Sequence, residues 1–221
     1  GPSGVQSCAG ASRPLNAYSE TERISYMLDD LDLASLSNRS FKFLDFGAGT
    51  GCISASVLVR FPQSSGTLVD VNKRLDLNEH IQEAIKGRYN NISWDNVKSI
   101  PRHSFDLVIS TDVLEHIPDW KSAFRSLVTY LAPGGYLYVQ APSRYPSPNW
   151  PYQGIVVNKL KGYFNLNDPG RHVRHGLSSK DLYDCAVGCD LLALLVSEDY
   201  VSHGQVFCDF KPRTHALFMK P

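Results

Sequence analysis

Three glycines at alternate positions, Gly47, Gly49 and Gly51, follow the apolar and acidic run Phe43-Leu44-Asp45-Phe46. Glycine takes positive φ and lets another group approach the backbone closely. A mostly apolar segment, Cys52 to Phe61, comes next, so the run reads as strand, tight turn and helix start. The first N–H groups of such a helix lack intrahelical partners and suit an anionic or polar ligand. This spacing points to a nucleotide-like cofactor at the end of the first strand. Asp70 closes a second apolar run, Thr67-Leu68-Val69-Asp70-Val71. A third concentration, Asp168-Pro169-Gly170-Arg171-His172-Val173-Arg174-His175, could form an acceptor site or bind a phosphate or carboxylate. A solvated loop is its alternative.

Periodicity supplies the elements that must position these groups. Residues 1–16 are rich in Gly, Ser and Ala and read as a loose start. Ser19-Glu20-Thr21-Glu22 resembles a capping box, and Ile24, Met27, Leu28 and Leu31 recur at helical spacing. A helix from about Glu20 to Leu33 is expected. It either packs on a sheet or forms a lid that carries Tyr18, Arg23 and Tyr26 toward a substrate. Phe41 to Phe46 reads as strand 1 and Cys52 to Arg60 as a helix. Pro62 to Gly66 reads as a loop, Thr67 to Val71 as strand 2, and Asn72 to Gly87 as a polar helix capped by Gly87. Asn91 to Trp94 is a weak third strand, followed by Asp95-Asn96. Ser104 to Ser110 is a buried strand, Pro118 to Leu131 a helix, Ala132 to Gly135 its break, and Tyr136 to Gln140 a fifth strand. Near the C-terminus come a helix from Ser178 to Val187, strands Leu191 to Val196 and Thr214 to Met219, and a turn at Lys211-Pro212-Arg213.

Strands alternating with helices imply an α/β fold: a mainly parallel sheet of seven strands with helices on both faces and a C-terminal antiparallel hairpin. One domain over residues 1–221 accounts for the pattern. Ligands of such sheets bind beyond the carboxyl ends of the strands. The glycines, Asp70, Asp95, Asn96 and Thr111 all fall at such ends. Pro142 to Ser179 interrupts the pattern with Pro, Asn, Tyr, Arg and His. An excursion of this length is usually functional or disordered. It reads as a cap over an apolar or ring-bearing substrate, with Arg144, Trp150, Tyr152 and Arg171 as substrate candidates. A homodimer contact is its other use.

The 22 basic and 22 acidic residues cancel, which argues against a dedicated nucleic-acid or anionic-membrane binder. No apolar run reaches membrane-spanning length, and no signal peptide is visible. The five cysteines, Cys8, Cys52, Cys185, Cys189 and Cys208, make no CxxC and no zinc-like spacing. A reducing, cytoplasmic setting fits them.

Four segments together resemble the class I S-adenosylmethionine-dependent methyltransferases. They are Leu44-Asp45-Phe46-Gly47-Ala48-Gly49-Thr50-Gly51, Leu68-Val69-Asp70-Val71-Asn72, Ser104 to Val108 with Val113-Leu114-Glu115-His116-Ile117-Pro118-Asp119, and Leu131-Ala132-Pro133-Gly134-Gly135. The latter two are similar to the branch that methylates small molecules. A nicotinamide fingerprint would be GxGxxG, and here the third glycine comes one residue early. The resemblance implies a Rossmann-like fold with S-adenosylmethionine as cofactor. It implies ribose hydroxyls on Asp70, adenine against Val71, and the adenine amino group at Asp95 or Asn96. It further implies the methionine end on the backbone of Gly47, Gly49 and Thr111, with Asp45 fixing the loop or the amino group. Ala48 stands where the family often has cysteine, and Gly51 completes the turn.

Methyl transfer from a sulfonium is an in-line displacement, and an oxygen acceptor of high pKa needs a base. His116 follows strand 4 beside the expected methyl position and is the first candidate; a structural role is its alternative. His172 and His175 are the others. A metal held by Asp112, His116 and His172 or His175 has no support in the spacing, so none is expected. The resulting expectation is transfer to a small-molecule acceptor, with a hydroxyl oxygen favoured. Nitrogen, carbon or protein acceptors, or a non-catalytic cofactor-binding subunit, are the rivals.

Overall fold

Buried side chains alternate along the strands and sort the core into two faces. In the computed structural model, which describes residues 20–71, 75–143, 176–199 and 213–221, β1 (Phe41–Phe46) sends Leu44 and Phe46 to one face and Phe43 to the other. Successive side chains of a strand point to opposite faces, so a strand buried on both sides reads as a continuous apolar run. β4 (Phe105–Thr111) divides Val108 from Leu107 and Ile109 in the same way. The first face is covered by α4 (Trp120–Tyr130) and α5 (Ser179–Val187), through Trp120, Phe124, Leu127 and Leu182. The second is covered by α1 (Glu20–Asp32) and α2 (Cys52–Arg60), through Ile24, Met27, Leu31, Val57 and Leu58.

The other strands are β2 (Ser64–Asp70), β3 (Tyr89–Ser93), β5 (Leu131–Pro142), β6 (Leu192–Asp199) and β7 (Arg213–Met219). They form one seven-stranded sheet in the order β3-β2-β1-β4-β5-β7-β6. The pairs from β3 to β5 are parallel, and β7 runs antiparallel to both β5 and β6. Strand order reverses between β1 and β4, so the ligand crevice of this topology lies at their carboxyl ends. The expected α/β, Rossmann-like architecture is present, including its antiparallel end.

Several boundaries move, each for a tertiary reason. Ser64 to Gly66 belongs to β2, because Phe41, Lys42 and Phe43 pair with them in register. Gly66 is required there: a Cβ would stand 2.4 Å from the Phe43 ring. The helix expected over Asn72 to Gly87 shrinks to α3, Glu79–Ala84, capped by the Asn78 side chain on Ile81 N–H. The preceding residues serve the glycine loop instead, since Asp76 N–H donates to Thr50 C=O at 2.9 Å. Trp94 leaves β3 to open a 3₁₀ helix, Trp94–Ser99. The Leu131 to Gly135 break is taken up into β5 by a register shift beside Phe105. Arg213, expected in a turn, is the first residue of β7; Lys211 and Pro212 lie outside the described residues. Ser178 caps α5 in a full capping box with Asp181.

Candidate functional site

The turn after β1 is built around positive φ. Gly47, Gly49 and Gly51 have φ of +88°, +54° and +84°. Gly47 and Ala48 N–H groups donate to Val69 C=O at 2.7 and 3.0 Å, which ties the turn to β2. A Cβ on Gly47 would stand 2.2 Å from Val113 Cγ2, and one on Gly51 2.6 Å from Leu75 Cδ2. Gly49 differs: nothing lies within 4 Å of where its Cβ would be. The loop is therefore packed on two sides and open at its middle glycine. That open side is the one a ligand can approach. Asp70, at the end of β2, accepts the Gly49 N–H at 2.8 Å.

Asp45 is wholly buried under this loop. Ser54 Oγ, on α2, donates to its Oδ2 at 2.6 Å. Oδ1 is buried without a hydrogen-bond partner among the described residues. Burial pushes the Asp45 carboxyl up from 3.8 to about 6, the Ser54 hydrogen bond pulls it down, and nearby Asp70 adds to the rise. A buried carboxylate oxygen without a donor suits a cationic ligand group.

The remaining cofactor candidates line the same edge. Val71 is 65% exposed, a large apolar face just past Asp70. Trp94 packs edge-on against Phe46, ring centroids 5.3 Å apart. Asp95 and Asn96 are exposed on the 3₁₀ turn that follows β3. Asn96 Nδ2 donates to Ser93 Oγ at 3.3 Å. Asn96, not Asp95, is on the wall of a cavity of about 440 Å³ that Asn91, Ile92, Ser93 and Ser99 complete. Thr111 ends β4, buried, across from Gln140 of β5.

On the acceptor side, His116 ends a 3₁₀ turn, Leu114–His116, and its side chain is 26% exposed. Buried Glu115 places Oε1 at 3.9 Å from His116 Nε2, beyond hydrogen-bond reach. Tyr18, Arg144, Trp150, Tyr152, Arg171, His172 and His175 lie outside the described residues. The ends of their segment are described, and they meet. Ser143 bridges Leu177, Leu177 N–H donates to Pro142 C=O at 2.9 Å, and Thr214 Oγ1 donates to Leu177 C=O at 2.7 Å. The segment thus departs and returns at the carboxyl end of β5. α1 buries its apolar face on the sheet and leaves Tyr26 exposed.

One ion pair and one carboxylate–histidine contact here have no counterpart in the sequence analysis. Asp112, at φ +55°, is paired with Arg213 at the start of β7. Asp30 Oδ2 of α1 lies 2.7 Å from His215 Nδ1 in β7. The available signal was polarity: Gln140, Arg213 and His215 interrupt otherwise apolar strands near their ligand ends. Among the described residues, no three His, Cys, Asp or Glu side chains gather as a metal cluster would require. No described helix is long and apolar enough to cross a membrane. Cys185 and Cys189 are free thiols, and burial raises both; Cys185 reaches about 11.

A doubly covered sheet with a glycine turn at the reversal of strand order, and acids closing β1 and β2, defines a nucleotide-cofactor domain of the methyltransferase type. A methyltransferase-domain family matches residues 19–186, and the chain belongs to it as a class I S-adenosylmethionine-dependent methyltransferase. It is 30% identical over 126 residues to the malonyl-[acyl-carrier protein] O-methyltransferase 2 of Ilyobacter polytropus, covering 56% of this chain and 49% of that one. It is 26% identical over 174 residues to the ubiquinone biosynthesis O-methyltransferase of Marinobacter nauticus, covering 72% and 71%. The matches span about half the length of most of these relatives. The fold is similar to that of the N-methyltransferase NodS from Bradyrhizobium japonicum, solved with S-adenosyl-L-homocysteine. That likeness has a TM-score of 0.58 at 18% identity, over 93% of this chain and 90% of that one.

Proposed function

We propose that the protein methylates a hydroxyl oxygen of a small-molecule acceptor, in a reducing cytoplasm, with histidine-assisted removal of the proton. The observations that carry the cofactor half are the open flank of Gly49 and, in the same strand–turn unit, the orphaned Oδ1 of buried Asp45. The residues fit S-adenosylmethionine. Asp70 holds the loop through Gly49 N–H and offers further acceptor positions to ribose hydroxyls, since a carboxylate accepts at several lone pairs. Val71 offers an apolar platform to adenine, and Asp95 or Asn96 meets its amino group. Asp45 accepts from the amino group at the methionine end, near the backbone of Gly47 and Thr111. When bound, the cofactor supplies a methyl group on an electrophilic sulfonium.

Everything else in this reading falls to the chain's own residues. α1 and the 143–179 segment act as lid and cap, which exclude water around the acceptor. The paired ends of that segment, Ser143 and Leu177, support this placement. The base is a histidine at the carboxyl edge of the sheet. His116, nominated by its place after β4, is one of two described histidines there.

Two measurements test the proposal. S-adenosylmethionine should raise the melting temperature of the wild-type protein, and a small-molecule extract should release S-adenosylhomocysteine from it. A thermal shift without release would leave a cofactor-binding subunit in place of an enzyme. Release that depends on amines and not on hydroxylated compounds would move the acceptor to nitrogen.

A further inference from the structure

A hydroxyl holds the acid beneath the glycine turn. Ser54 is on the first turn of α2, the helix that begins directly after Gly51, and it is wholly buried. Its Oγ donates to Asp45 Oδ2 at 2.6 Å. That length falls in the range of about 2.5–2.7 Å for a hydroxyl on a carboxylate. The other oxygen, Oδ1, is buried without a hydrogen-bond partner among the described residues. Across the sheet Asp45 is level with Leu68 of β2 and Ile109 of β4, both apolar. Among the described residues, Ser54 is thus the side chain that hydrogen-bonds this carboxyl.

The inference rests on the reading above, in which Asp45 serves the amino group of the cofactor. We propose that Ser54 is a positioning residue for the cofactor: its hydroxyl keeps Asp45 a carboxylate at neutral pH, with Oδ2 fixed and Oδ1 left for the ligand's cationic end.

Three influences act on this carboxyl, and they do not point the same way. Burial disfavours the charged form, because apolar surroundings replace water. Ser54 opposes burial, since a hydroxyl donor favours the charged form. Asp70, from the end of β2, adds like-charge repulsion; among the described residues it is the charged group acting on Asp45. Together they leave the carboxyl at about 6, low enough to be ionised at neutral pH. Without the hydroxyl, the same burial and the same Asp70 remain, and the acid takes up a proton near neutrality. A protonated Asp45 has no charge with which to attract an ammonium group.

The place of Ser54 in the chain suits this role. Asp45 comes just before the glycine turn and Ser54 just after it, so the bond between them closes the strand–turn–helix unit from beneath. Ala55 N–H donates to Gly51 C=O at 2.8 Å, which fixes the first turn of α2 to the last glycine. Farther along, Val57 and Leu58 anchor α2 in the core. A donor on so fixed an element holds one carboxylate oxygen in place and keeps the carboxyl from turning away.

The test titrates S-adenosylhomocysteine, which has the same amino-acid end, into the wild type, Ser54→Ala and Ser54→Cys by calorimetry between about pH 5.5 and about pH 8.5. The ratio of wild-type to variant affinity is read, because titration of the ligand cancels in it. Losing a hydrogen bond to the charged form should raise the midpoint by about one pH unit or more. Ser54→Ala should therefore bind about five-fold more weakly than wild type near pH 6 and nearly as tightly near pH 8.5. Without ligand, stability should fall with rising pH up to about 6 in the wild type, and on to about 7 or above in Ser54→Ala. Ser54→Cys keeps the volume but donates weakly, so it should follow Ser54→Ala. It supplies the same comparison should Ser54→Ala melt too early to bind. An affinity ratio that is the same at every pH overturns the proposal, as does a wild-type profile in Ser54→Cys, which would assign the effect to packing. No binding by the wild type at any pH would overturn the methyltransferase reading itself, and the role of Ser54 with it.

Discussion

On the function proposed above, the carboxyl edge of the sheet divides into a cofactor half and an acceptor half, and the two are built differently. In the first, the hydrogen bonds join residues of neighbouring elements, and Val113 packs on Gly47 from beyond β4. Ser54 reaches Asp45 across nine positions, and Asp70 reaches Gly49 across 21. In the second, Arg213 reaches Asp112 across 101 positions and His215 reaches Asp30 across 185. The turn is held by β1, α2 and the end of β2. The acceptor wall exists only after β7 has inserted beside β5 and α1 has docked on the sheet. The turn thus depends mainly on neighbouring elements, while the second cluster depends on β7 and α1 both reaching the sheet.

Substitutions can break this contrast, and the largest effect belongs to the local turn. Gly47→Ala puts a Cβ 2.2 Å from Val113 Cγ2 at a φ of +88°. Overpacking and left-handed strain together should cost roughly 3–5 kcal/mol, read by chemical denaturation. A stability loss under 1 kcal/mol would show that the loop rearranges freely and is not a fixed seat. Next in size, Arg213→Met removes the partner of Asp112, which is mostly buried. Loss of this partly buried charged hydrogen bond should cost roughly 1.5–3 kcal/mol. S-adenosylmethionine affinity should stay within a few-fold, measured by calorimetry, because the pair lies in the acceptor half. An equal loss of cofactor affinity would merge the two halves into one unit.

Asp45→Asn sharpens the cofactor half with a pH signature. Its carboxyl is raised from 3.8 to about 6, so between these values the folded protein holds a proton that the unfolded chain has released. Stability of the cofactor-free protein should therefore fall as pH rises from about 4 to about 6, by on the order of 2 kcal/mol. Asp45→Asn should remove that slope, stabilise the cofactor-free protein above pH 6 by a similar amount, and weaken S-adenosylmethionine binding. In the wild type, binding should weaken as pH falls through about 6, because the amino group prefers the ionised carboxylate. Urea denaturation and calorimetry across this range check both; a flat profile would place the Asp45 pKa elsewhere. The smallest effect is Gly49→Ala. With open space at its Cβ, only left-handed strain of about 1 kcal/mol should appear without cofactor. The loss of cofactor affinity should be clearly larger than that strain, because the added methyl points to where the ligand approaches.

Much of this was legible in the residues themselves. The alternate glycines after Phe46 required left-handed turns, and all three have them. The apolar strands and the helix after Ser178 also stand close to where they were read, because local pattern and burial agree there; that Ser178 and Asp181 form a capping box shows only in the structure. Asn72 to Gly87 read as one helix because its composition permits it. The structure gives residues 75–77 to the glycine loop, where Leu75 covers Gly51 and Asp76 bonds Thr50. Tertiary contacts outweighed a weak propensity. Arg213 read as a turn residue because Pro212 precedes it; its pairing opposite Pro142 puts it in the sheet.

The sequence by itself determined the reagent and the form of the glycine turn. A turn of glycines between strand and helix is a short-range object, specified by residues a few positions apart. Only the tertiary structure decided which polar side chains meet at the far end of the sheet's carboxyl edge. Asp30, Gln140 and His215 carry no mutual spacing that a linear reading could detect. They meet because β7 runs antiparallel beside β5 and α1 buries its apolar face on the same side, so long-range packing brings their polar groups together.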